Sequence, residues 1–263
     1  QGEADAIYRA RGLDYSRWEG DLQSFSAALA KAPLAFSPGD RWNYSNATDV
    51  LGRVVEVASG MSLDAFFQTR IFGPLGMHDT GFHVPADQIE RLMACYWRNP
   101  VNGEIAQSDP GGAASAYARP PNVFSGGGGL VSTIGDYLRF CLMLVQNGEL
   151  DGVRLLSPKT LEFMTVNHLP DNKTIAQMGD KTFSETRMEG SGFGLGWAVT
   201  TDVIATTQPG SVGTFSWGGM ASTFFWIDPA EDLIAIQMTQ LMPSGSYPIR
   251  PQLQQLVYAA IEE

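Results

Sequence analysis

The sequence predicts an α+β fold: a helical region, then an antiparallel sheet flanked by helices. Two observations predict it. Up to about residue 165, apolar residues recur at helical spacing; after about residue 190, aromatic and β-branched runs alternate with turn residues. A final helical run from Pro251 supplies a layer to cover the sheet.

The first 35 residues read as helical, with apolar positions at Leu22, Phe25, Leu29 and Leu34. Pro33 and Pro38 break that pattern, and Phe36-Ser37-Pro38-Gly39-Asp40 reads as a turn. Asn46 is placed to cap a helix carrying Val50, Leu51, Val54, Val55 and Ala58 on one side, ended by Gly60. Ser62 caps the next helix, which holds Leu63, Phe66, Phe67 and Ile71 and is expected to stop at Gly73-Pro74. Residues 98–129 show little periodicity and read as a long surface excursion. Thr133 and Asp136 resemble a capping box opening a helix through Val145, closed by Gly148. Ser157-Pro158 opens another short helix.

Strands are expected over Phe193–Thr200, Gly213–Trp217, Ser222–Ile227 and Leu233–Gln240, with a hairpin turn at Asp228–Asp232. The terminal helix places Leu253, Leu256, Val257, Ala260 and Ile261 at helical spacing.

Composition bounds the function. The 263 residues are 44% hydrophobic and 17% charged, which excludes a coiled coil, a disordered tail and a collagen-like rod. Twenty-eight acidic against 17 basic residues give a net charge of −11. Such an anion is repelled by phosphates, so neither nucleic acid nor an anionic membrane is an expected partner. No apolar run approaches the length of a transmembrane helix. Cys95 and Cys141 make no metal cluster by themselves, and their spacing asks for no disulfide. No cofactor or metal is called for, and the compartment is left open.

Several chemical motifs are absent. Gly126–Gly129 is not followed by Lys-Ser or Lys-Thr and is no phosphate loop; it reads as a tight backbone crossing. No Gly-x-Ser-x-Gly elbow occurs, and His78, His83 and His168 stand apart. What remains is an ordered set: Tyr44-Ser45-Asn46 before a helix, Pro74-Leu75-Gly76-Met77, Gly126–Leu130, and Trp217-Gly218-Gly219 between two strands. In this order the motifs resemble the serine β-lactamase-like and penicillin-binding-protein-like hydrolases, and more narrowly the class C-related (family VIII) carboxylesterases. The likeness runs from about residue 35 to the end.

The resemblance implies acyl transfer through a serine nucleophile, a base and oxyanion donors. It implies Tyr44 as the catalytic proton-transfer residue. A free tyrosine titrates near 10, so this role needs a neighbouring cation, which the family draws from the lysine of Ser-x-x-Lys. It implies Asn46, Trp217, Gly218, Gly219 and Met220 as substrate-binding residues. Asn46 would bond the lysine or the substrate carbonyl, the glycines would admit substrate to the strand, and the Met220 N–H would face the oxyanion. Trp217 stands where the family's third motif carries lysine. An apolar wall there favours a neutral ester over a β-lactam carboxylate. A β-lactamase or D-alanyl-D-alanine peptidase, and a non-catalytic binding relative, remain the other readings.

No Ser-x-x-Lys exists: three residues before Lys31, Lys159, Lys173 and Lys181 stand Ala28, Leu156, Pro170 and Met178. In the resembled family that motif lies well upstream of Tyr-x-Asn, and only 43 residues precede Tyr44. The chain, opening at Gln1 without methionine, is therefore expected to be the C-terminal portion of one such domain. Residues 1–125 would form the mainly helical region, and 126–263 a helix, the strands and the terminal helix. Its expected partners are a small-molecule ester and an N-terminal fragment of the same enzyme bearing Ser-x-x-Lys.

Overall fold

The computed structural model describes residues 3–179 and 188–262; Gln1 and Lys181 lie outside them. The helices are α1 (Glu3–Ala10), α2 (Leu22–Leu29), α3 (Ala47–Ser59), α4 (Leu63–Phe67), α5 (Gly73–Leu75), α6 (Ile134–Val145), α7 (Pro158–Met164), α8 (Ile175–Met178), α9 (Val203–Thr206) and α10 (Ile249–Ala259). The strands are β1 (Cys95–Arg98), β2 (Ile105–Asp109), β3 (Glu149–Leu150), β4 (Val153–Arg154), β5 (Ser191–Phe193), β6 (Ala198–Thr200), β7 (Phe215–Gly218), β8 (Phe224–Asp228), β9 (Leu233–Gln237) and β10 (Leu241–Met242). No helix is long and apolar enough to cross a membrane among the described residues.

The main sheet is an antiparallel meander in the order β5-β6-β7-β8-β9. Side chains alternate across it because successive residues of a strand point to opposite faces. Phe215, Phe225 and Ile227 face a core shared with Cys141 and Leu144 of α6, and Trp217 packs against its margin. On the other face, Trp226 stacks on Tyr258 of α10, and the Tyr258 hydroxyl donates to the fully buried Asp228 at 2.6 Å. The sheet is thus a central layer between the helical region and the terminal helix. A second core joins α2 to the rest through Leu22, Phe25, Leu29, Leu63 and Phe82.

Caps fix most helix starts as expected. The hydroxyls of Ser62, Thr133 and Ser157 accept the N–H groups of Ala65, Asp136 and Thr160. Gly60 and Gly76 end their helices at φ +71° and +67°. Three expectations are corrected. The helix from Ser62 does not stop at Gly73-Pro74. It passes through a widened π turn, Gln68–Phe72, and continues to Leu75, the wider turn accommodating a ring that would otherwise meet a carbonyl of the preceding turn. Residues 193–200 are not one strand: β5 and β6 pair with each other, folded back at the glycines 194 and 196. Finally, the excursion at 98–129 contains a hairpin arm. β1 pairs with β2 antiparallel and with β10 parallel.

Candidate active site

Tyr44-Ser45-Asn46 forms the turn entering α3. Ser45 caps it, accepting the Ala47 N–H at 3.2 Å. Asn46 occupies the cap position, but its side chain makes no capping bond, so that side chain is not spent on ending the helix. Tyr44 is half exposed at 49% and lies over Trp217, with ring centroids 6.3 Å apart and planes 3° from parallel. Trp217 also meets Trp42 at 6.3 Å and Phe193 at 5.5 Å edge-on, and Trp42 meets Phe193 at 5.4 Å. The two motifs, far apart in sequence, therefore form one aromatic wall.

Asp49, in the first turn of α3, is 2% exposed. Its Oδ1 accepts a short bond from the Ser125 hydroxyl and the Gly127 N–H at 3.3 Å. Ser125 Oγ in turn accepts the N–H groups of Gly127 (3.2 Å) and Gly128 (3.0 Å). At Gly126 a Cβ would overlap the Thr48 carbonyl, and at Gly52 it would come within 2.9 Å of Leu63 Cδ2. The glycine run is thus a backbone crossing over the start of α3. Tyr15 packs beside it; burial, with Tyr117 and Asp49 nearby, pushes its phenol above the usual tyrosine range.

Across the site, Gly219 N–H donates to the Thr223 carbonyl at 2.9 Å, closing a short hairpin that carries Met220 at its tip. Met220 is 68% exposed, and its N–H has no partner among the described residues. Both glycines of Trp-Gly-Gly have packing reasons to be small. A Cβ at Gly218 would sit 2.8 Å from the Arg250 guanidinium, and one at Gly219 would overlap Thr223 Oγ1. Sequence reasoning missed Asp49, Ser125 and Arg250. Asp49 carried a signal, as a carboxylate inside an apolar helical run. Of the three histidines, His168 bonds the Phe163 carbonyl at 2.6 Å. The described residues hold no group of His, Cys, Asp or Glu able to bind a metal ion.

A meander sheet layered between α10 and a helical region is the α+β architecture of the β-lactamase and penicillin-binding-protein-like fold, and it sets Tyr44 beside Trp217. The chain belongs to the Beta-lactamase family, whose model matches residues 4–259. An uncharacterized protein of Mycobacterium tuberculosis is 39% identical over 223 residues, 84% of this chain and 54% of its own length. Esterase EstB of Burkholderia gladioli is 34% identical over 91% of this chain and 60% of its own. The chain thus spans little more than half the length of these relatives. Among solved structures, EstCE1, described as a hydrolase with promiscuous acyltransferase activity, superposes with a TM-score of 0.76 at 26% identity, covering 94% of this chain and 65% of its own.

Proposed function

We propose that the protein hydrolyses carboxylic esters through an acyl-enzyme, Tyr44 moving the proton of a serine supplied by a segment outside this sequence. The observation that carries the reading is the parallel seating of Tyr44 on Trp217. On this reading Tyr44 is the proton-transfer group, Trp217 the apolar wall beside it and the Met220 N–H the oxyanion donor. Asn46, with its side chain free of capping duty, bonds the incoming lysine or the substrate carbonyl. The esterase relatives support the ester class, and Trp217 in place of a cation favours a neutral substrate.

Two features support a complementary segment bearing Ser-x-x-Lys. Val50, Leu51 and Val54 of the apolar stripe of α3 are exposed, as is Val57 beside them, while Val55 packs on the second core. β9 has β8 as its only strand neighbour among the described residues. On this reading the chain is the C-terminal portion of one domain.

The test uses the longer polypeptide that includes the upstream segment. It should cleave a short-chain p-nitrophenyl ester faster than a chromogenic cephalosporin, and Tyr44→Phe should lower kcat at least a hundredfold. Faster cephalosporin opening would favour the β-lactamase reading. No turnover of either, with no labelling by a fluorophosphonate, would leave a non-catalytic binder.

A further inference from the structure

We propose that Arg250, at the start of α10, is the positioning residue that aims the Met220 N–H at the reacting carbonyl; the proposal rests on the ester-hydrolase reading above.

The Gly219 carbonyl and the Met220 N–H belong to the same planar unit, which is trans, so the two bonds point in opposite directions. Arg250 Nη2 donates to the Gly219 oxygen at 2.7 Å and to the Thr223 oxygen at 3.0 Å, bridging both ends of the hairpin tip. Strand alternation fixes the side from which it does so. Trp217 faces Tyr44, so the neighbouring Gly218 presents its α-carbon to the opposite face, where the guanidinium fills the space of the absent Cβ. The Gly219 oxygen is thereby drawn behind the strand, and the N–H of the same peptide is turned toward the Tyr44 side. A cationic donor on the carbonyl also polarises the peptide and strengthens its N–H as a donor.

The rest of the tip is held in the same sense. The Ala221 carbonyl accepts Thr239 Oγ1 and the Leu241 N–H, each at 3.1 Å, and the Ser222 carbonyl accepts Gln237 Nε2 at 3.1 Å. The Ser222 hydroxyl donates to the Leu241 carbonyl at 2.6 Å. The guanidinium lies over the Phe224 ring at 5.4 Å, which fixes its plane. Arginine suits the position because one planar fork spans two carbonyls, whereas an ammonium is a single point. Because Arg250 stands behind the sheet, it touches no substrate.

The experiment compares wild type, Arg250→Lys, Arg250→Ala and Gly218→Ala in the longer polypeptide, on a p-nitrophenyl ester, with hydrogen exchange of the 219–223 amides. Gly218→Ala dislodges the guanidinium without removing it. Arg250→Ala and Gly218→Ala should each lower kcat about 10- to 100-fold, less than or comparable to deleting an oxyanion donor. KM should stay within about twofold, the signature of an interaction made in the transition state. Arg250→Lys, which keeps the charge and one carbonyl, should recover part of kcat. Amide exchange at the tip should quicken in step with the loss. Unchanged kcat overturns the proposal, whether or not exchange quickens; a rise in KM at constant kcat overturns it by placing Arg250 against substrate. A wild-type protein that cleaves no ester removes the reading on which it stands, a result visible before any variant is compared.

Discussion

At Asp49 a single carboxylate ties the Tyr44 turn to the glycine crossing. Burying an anion is costly unless it is bonded, and Asp49 meets that condition with one hydroxyl, one N–H and the favourable end of α3. Asp49→Ala leaves the Ser125 hydroxyl without its acceptor, so a loss of about 1–3 kcal/mol is expected in urea unfolding. Asp49→Asn keeps an acceptor oxygen and should lose less. Gly126→Ala should match or exceed the alanine loss, because its Cβ meets the Thr48 main-chain oxygen, which cannot step aside as a side chain can. These residues show why the site was only half legible in the sequence. Tyr44, Asn46 and Trp217 belong to motifs of local order. Arg250 acquires its role only when a helix from the far end of the chain is laid behind β7, which no local pattern announces.

Among the elements, most that end in strong punctuation were readable, the helix that runs through Gly73-Pro74 being the exception, and those that rely on distant pairing were not. α3 and α7 are bounded by cap residues and a glycine or proline, and the Asp228–Asp232 turn fixes the β8–β9 hairpin. The β1–β2 arm escaped notice because its strands are short and their order completes only when β10 pairs alongside β1. α3 gives the sharper lesson. Of its apolar stripe, Val50, Leu51 and Val54 are exposed and Val55 packs on the second core, while the buried positions are Asp49 and Gly52, where the glycine loop needs room. Val54→Asn with Val57→Asn should therefore leave the unfolding free energy of this chain within about 0.5 kcal/mol. In the longer polypeptide the same pair should cost about 1.5–3 kcal/mol per buried valine if the upstream segment covers the stripe. Equal small effects in both would show that it does not.

On the scale of the whole molecule, the buried protonated groups set a limit on alkaline stability. Cys141 lies fully buried in the main core, and burial pushes its thiol up to about 12. Tyr137 on the same helix and Tyr258 behind the sheet are also raised, Tyr137 chiefly by burial and Tyr258 by burial together with its bond to Asp228. An acid whose pKa is higher folded than unfolded keeps its proton in the native state after the unfolded chain has lost it. Between about 9 and 12 the native protein therefore binds more protons than the unfolded one, and stability falls as pH rises. The contribution of Cys141 is complete below the thiol's unfolded value and is lost through this window. Carboxylates act in the opposite direction: hydrogen bonds from Arg91 hold Asp79 below its usual range, so its contribution is lost only on acidification. Urea unfolding from pH 7 to 11 should show a falling limb beginning near pH 9. Cys141→Ala should lower stability at pH 7, through the cavity it leaves, yet flatten that limb, because one of its titrating groups is gone. A limb of unchanged slope in the variant would place the alkaline loss on the tyrosines and on repulsion within a chain already at −11.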